Sequence, residues 1–133
     1  MKIKQLAAIV GLVSLNFQCS PPAPAAEIIL STRSHHFFET DTNNNNLGLH
    51  YIANNGFTIG DYYNSKFRNS FHIGYSFNLY RSINMTVGGV SGYNSSMSPY
   101  FSFNYRYPLT KQWGIVFTVG DLVVINTGIS YRY

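Results

Sequence analysis

The chain has 133 residues, enough for one domain; only 11% are charged, whereas 17% are aromatic. A soluble domain carries roughly 25% charged residues, so this composition argues against a fully water-exposed surface. The formal charge of +4 is spread along the chain without a basic cluster, which excludes a nucleic-acid footprint.

The N-terminus reads as a targeting segment. Lys2 and Lys4 form a positive start, and Leu6 to Phe17 is an apolar stretch too short to span a bilayer. A small-residue, Pro-rich tract then runs to Ala26, with Ala23 and Ala25 suiting an A-x-A cleavage. Residues 1–26 are therefore expected to be a cleaved signal peptide, and 27–133 the mature domain. Gln18 stands where a lipoprotein signal would carry a small residue, so Cys19 is read as leaving with the leader. The mature chain then has no cysteine, and disulfide or thiol chemistry is excluded. Without Lys2 and Lys4, seven basic side chains face five acidic ones, a net charge of +2.

Eight segments of alternating hydrophobicity follow, separated by turn residues. They run roughly Ile28–Phe38, Leu47–Ala53, Phe57–Asn64, Phe71–Tyr80, Ile83–Tyr93, Tyr100–Tyr107, Trp113–Gly120 and Val123–Tyr133. Regular alternation in the fourth puts Phe71, Ile73, Tyr75, Phe77 and Leu79 on one face, with His72, Gly74, Ser76, Asn78 and Tyr80 on the other. The last segment is the clearest: Tyr131, Ile129, Thr127 and Ile125 oppose Arg132, Ser130, Gly128 and Asn126. Apolar faces repeated in strand after strand, with no helix to cover them, call for lipid as their solvent. The expected fold is all-β, an eight-stranded antiparallel up-and-down transmembrane β-barrel of the outer membrane, acting as a monomer. Two places fit poorly. Asp61 falls on the lipid-facing parity, and the first segment alternates badly; regular alternation through Arg33 turns Arg33 and His35 inward together.

Connection lengths set an orientation. Residues 53–56, 81–82 and 109–112 are tight turns, expected on the periplasmic side, while Glu39–Asn46, Ser65–Ser70 and Gly92–Pro99 are longer and polar and should face outside. The outer connection around Asp121 is short.

His35 and His36 close the first segment at the outer end, and Asn64 and Ser65 close the third. A His beside a Ser is a general-base and nucleophile pairing suited to acyl transfer, and an Asn amide can stabilise an oxyanion. The same residues are also ordinary rim and turn residues. His50 and His72 face inward by parity, but no metal-ligand spacing or carboxylate pair accompanies them, so they read as hydrogen-bonded lumen residues and no metal or cofactor is expected. Arg106 and Arg132 also face inward and need an acid or polar partners. Gly48, Gly60, Gly74, Gly88, Gly114, Gly120 and Gly128 share the inner parity. They either leave space, on the scale of one acyl chain, or are filled by Tyr62, Tyr80 and Tyr100 in a small-to-large alternation.

Together His36, the run Asn44-Asn45-Asn46-Leu47-Gly48-Leu49 and Gly60-Asp61-Tyr62-Tyr63-Asn64-Ser65 resemble the PagP-like family of small outer-membrane barrels. That family comprises lipid A palmitoyltransferases. The resemblance covers the first half of the mature chain. It implies that His36 (or His35) stands at the family's catalytic His and Ser65 at its catalytic Ser, while Asn64 replaces the family's Asp. The family's N-terminal amphipathic helix has no counterpart after Glu27. Tyr133 resembles the aromatic terminal residue through which outer-membrane barrels meet the barrel-assembly machinery. The resemblance implies transfer of an acyl chain from phospholipid to lipid A at the outer leaflet, with those lipids as partners. The alternative is a non-enzymatic structural or surface-interaction barrel of the OmpX or OmpA-domain kind.

Overall fold

The computed structural model describes residues 26–38, 41–93, 96–120 and 124–133. The expected signal segment with Cys19, part of the first outer connection at Glu39, and the turn at Asp121 with Val123 lie outside the described residues. Eight strands follow in chain order: β1 (Glu27–His36), β2 (Gly48–Ile52), β3 (Phe57–Tyr63), β4 (Asn69–Tyr80), β5 (Ile83–Val90), β6 (Ser98–Pro108), β7 (Trp113–Gly120) and β8 (Val124–Arg132). Each pairs antiparallel with its neighbour in sequence, and β1 pairs with β8, so the sheet closes into an up-and-down barrel with no free edge.

The alternation explains both the strands and their sides. On β4, β6 and β7 the expected inner residues Ser76, Asn104 and Val116 are buried, and the outer residues Tyr75, Tyr105 and Phe117 are exposed. Tyr80 departs from the expected inward position. The β4–β5 register shifts between Asn78 and Tyr80, so the parity count fails there; Tyr80 is exposed with the Arg81 guanidinium over its ring. Asp61 lies on the exposed face, as its parity requires.

The poor alternation of the first segment is a β-bulge. Ser31 pairs with Gly128 and Arg33 with Thr127, so Thr32 is an extra residue in β1. The parity beyond it is reversed: Ser34 is buried, whereas Arg33 and His35 are exposed. The expectation that Arg33 and His35 turn inward together fails for that reason. β2 is only five residues long, but residues 43–47 continue its course less regularly. Ser34 donates its backbone N–H to Asn44 O, and Tyr63 donates to Leu47 O, so this stretch bridges β1 and β3.

The inner glycines are mostly places of close approach. Gly74 and Gly88 pair directly, and a Cβ on either would come within 2.2 Å of Val87 O or 2.1 Å of Ile73 O. Those contacts are impossible, so this part of the wall admits no side chain. Of the seven, Gly120 alone faces open space, with no described residue within 4 Å of its Cβ position.

Candidate functional site

The inner wall surrounds a cavity of about 100 Å³, reached past His36, Ser65 and Tyr93 and running down to His50 and His72. This is smaller than the roughly 150 Å³ pocket known to take benzene, so it holds a few small polar groups and not a long acyl chain. Among the described residues its walls carry hydroxyls, amides and rings, and no Lys, Arg, Asp or Glu.

The structure separates the four candidate residues. His36 faces the cavity because the Thr32 bulge turns it there, and Ser65 shares that wall from the start of the β3–β4 connection. His36 Nδ1 lies 3.2 Å from Asn44 Oδ1 and 3.2 Å from Thr42 Oγ1, so the outer connection holds its ring. His35 is exposed on the outer wall, its ring edge-on to Phe37 at 5.2 Å. Asn64 is fully buried and its amide is committed. Oδ1 accepts the backbone N–H groups of Lys66 and Arg68, while Nδ2 donates to Ser70 Oγ and Gly92 O. Both amide hydrogens being used, Asn64 caps the 64–68 turn and has none left for an oxyanion. The same turn places Phe67 at φ 57°, and Asn43 donates its backbone N–H to Ser65 O.

Deeper in the barrel, four rings gather where the sequence showed no spacing motif. His50 on β2 and His72 on β4 have ring centroids 4.9 Å apart, Tyr62 lies 6.0 Å from His50, and Tyr100 stacks on His72 at 5.3 Å. Next to them, Thr58, Ser76, Thr86, Asn104 and Thr118 form a hydrogen-bond chain with steps of 2.7–3.1 Å. Such a chain satisfies polar groups that would otherwise be costly to bury. Two atoms near it stay without a partner, His72 Nδ1 and Ser102 Oγ. Among the described residues, no three His, Cys, Asp or Glu side chains are placed to hold a metal.

The end with the short turns is closed by charge. Glu27, 2% exposed, meets Arg106 Nε at 3.1 Å through Oε1 and Arg132 Nε at 3.1 Å through Oε2. Arg106 also donates to Ser130 Oγ and Gln112 O. The acid required by the two inward arginines is thus the first residue of β1. Sequence reading placed Glu27 ahead of the strand and missed it, although its own parity with Ile29 and Ser31 was the available signal. Ser31 was missed likewise; its hydroxyl meets His50 Nε2 at 2.9 Å.

No protein-family model, no curated protein and no solved structure matches this chain.

Proposed function

We propose that this chain is an outer-membrane barrel, cleaved from its leader and embedded in lipid, which holds a polar interior closed at its short-turn end and presents its longer connections at the outer surface. The carrying observation is the inverted distribution of polarity. Among the described residues, only Ile29, Ile52, Val90 and Val116 form a buried apolar set, against seventeen buried polar or charged residues. The exposed wall carries Ile28, Leu30, Leu49, Ile73, Phe117 and Ile129, an apolar face, interrupted at Asp61, that water would penalise. Trp113, Tyr131 and Tyr133 contact one another in series near the short-turn end, as an interfacial girdle would. The lumen is crossed by hydrogen bonds and capped by the Glu27 ion pairs, which favours a scaffold over a pore. The test is reconstitution in phosphatidylcholine vesicles with brominated acyl chains. Bromine within the bilayer should quench the fluorescence of Trp113, the one tryptophan of the sequence. Recovery of a folded, water-soluble chain with unquenched Trp113 would overturn the reading.

A second reading, acyl transfer to lipid A, is favoured by one observation: His36 and Ser65 line the same cavity at the outer end. His36 would take the proton of an acceptor hydroxyl as that oxygen attacks the ester carbonyl of a phospholipid, releasing a lysophospholipid. Ser65 would act beside it, while Asn64 is excluded as an oxyanion donor by its bonds to Ser70 and Gly92. Mass spectrometry of lipid A from cells making the wild type or Ser65→Ala decides the matter. An extra acyl chain that depends on Ser65 supports transfer, and identical lipid A in both sinks it.

A further inference from the structure

We propose that the paired imidazoles of His50 and His72 form a lumenal site for a first-row divalent transition-metal ion, bound most tightly as Cu²⁺. The two residues sit on β2 and β4, and Gly60 of β3 lies between them in register: His50 pairs with Gly60, and Gly60 with His72. With strands about 4.8 Å apart, their backbones are two strands distant, yet the ring centroids are 4.9 Å apart. The rings lean together over the glycine. A Cβ on Gly60 would come within 2.8 Å of His50 Nδ1 and 2.6 Å of His72 Cε1, the carbon bonded to His72 Nδ1. Glycine therefore leaves room for the Nδ1 side of the His50 ring and for the Cε1 edge of the His72 ring, which has a nitrogen on either side.

Hydrogen bonding prepares both nitrogens. The Ser31 hydroxyl meets Gly48 O at 3.4 Å and His50 Nε2 at 2.9 Å; when it donates to Gly48 O, its oxygen accepts from His50 Nε2–H. That arrangement puts the lone pair of His50 on Nδ1, the outer-shell support that metal-bound imidazoles use. His72 is 2% exposed, and its Nδ1 has no partner, an unusual cost for a buried nitrogen. Tyr100 stacked at 5.3 Å fixes the plane of the His72 ring. An ion about 2.0 Å from each nitrogen lies about 3.2 Å from each ring centre. Centroids 4.9 Å apart then correspond to an N–metal–N angle of about 100°, suited to two neighbouring ligand positions.

The cavity supplies the remaining ligands as water. A water needs about 10–15 Å³ of such space, so about 100 Å³ has room for several. Among the described residues no Lys or Arg lines it to repel a cation, and His36 and Ser65 mark the way in from the outer end. Two imidazoles with water fall short of the four protein ligands of a structural zinc site, so Zn²⁺ binds more weakly and the Irving–Williams order favours Cu²⁺.

The test is titration of the full barrel in detergent micelles with Cu²⁺ alone, read by calorimetry and electron paramagnetic resonance. One equivalent should bind, with coupling to two imidazole nitrogens, and Zn²⁺ should compete poorly. His72→Ala should abolish that signal, Ser31→Ala should weaken binding about tenfold, and Gly60→Ala should abolish it by filling the space. His35→Ala, on the outer wall, should leave it unchanged. Heat-modifiable mobility in gels confirms that each variant is folded; if His72→Ala is not, His50→Gln and His72→Gln carry the comparison. Absence of Cu²⁺ binding, binding undiminished in the His50 and His72 variants, or loss of binding in His35→Ala would each overturn the proposal.

Discussion

Replacing Glu27 by Gln tests what closes the barrel at its seam. The side chain keeps its shape, but the charge facing two guanidiniums is lost. The Arg106 arm is nearly dry, at 6% and 2% side-chain exposure, while Arg132 is 24% exposed. Two unit charges about 4 Å apart interact by about 4 kcal/mol at an effective dielectric constant of about 20. Breaking a buried pair by removing one partner typically costs about 3–5 kcal/mol, because the other charge stays buried and uncompensated. Glu27→Gln should therefore cost about 3–5 kcal/mol, whereas Arg132→Gln, on the wetter arm, should cost about 1 kcal/mol or less. Urea unfolding of the barrel in lipid vesicles, followed by Trp113 fluorescence, measures both. A Glu27→Gln variant no less stable than Arg132→Gln would refute the assignment of Glu27 as the acid that fastens β1 to β6 and β8.

Five other variants probe the wall and the outer end. Gly74→Ala and Gly88→Ala should prevent the barrel from acquiring its heat-modifiable form, since each Cβ would strike a backbone carbonyl, while Gly120→Ala should fold normally. Deleting Thr32 should be tolerated, because the bulge already excludes it from the pairing ladder. The deletion should leave His36 protected and His35 reactive toward an imidazole-modifying reagent; exchanged reactivities would contradict the register. Asn64→Ala should loosen the 64–68 turn and cost about 1–3 kcal/mol, the usual loss when buried donors and acceptors are orphaned. Protease cleavage within residues 64–68, faster in the variant than in the wild type, is the expected sign.

The sequence alone determined the eight strands, their order and, in all but the first, which face turns inward, because strand period is local and those segments repeat the same two-residue pattern. β7 was legible to its ends, since Lys111-Gln112 and Gly120 bound an unbroken alternation from Trp113. Parity failed only where an extra residue interrupts it, at Thr32 and again between Asn78 and Tyr80. A bulge leaves no unambiguous trace in residue order, since the pairing partner decides which residue is extra. For the same reason, the choice between His35 and His36 belonged to the tertiary structure. So did the meeting of Glu27 with Arg106 and Arg132, and of His50 with His72 over Gly60; these depend on closure and on register across three strands. The inward glycines were readable as a set, but as space. Only the packed barrel distinguishes Gly74 and Gly88, where two backbones nearly touch, from Gly120, which faces the open interior.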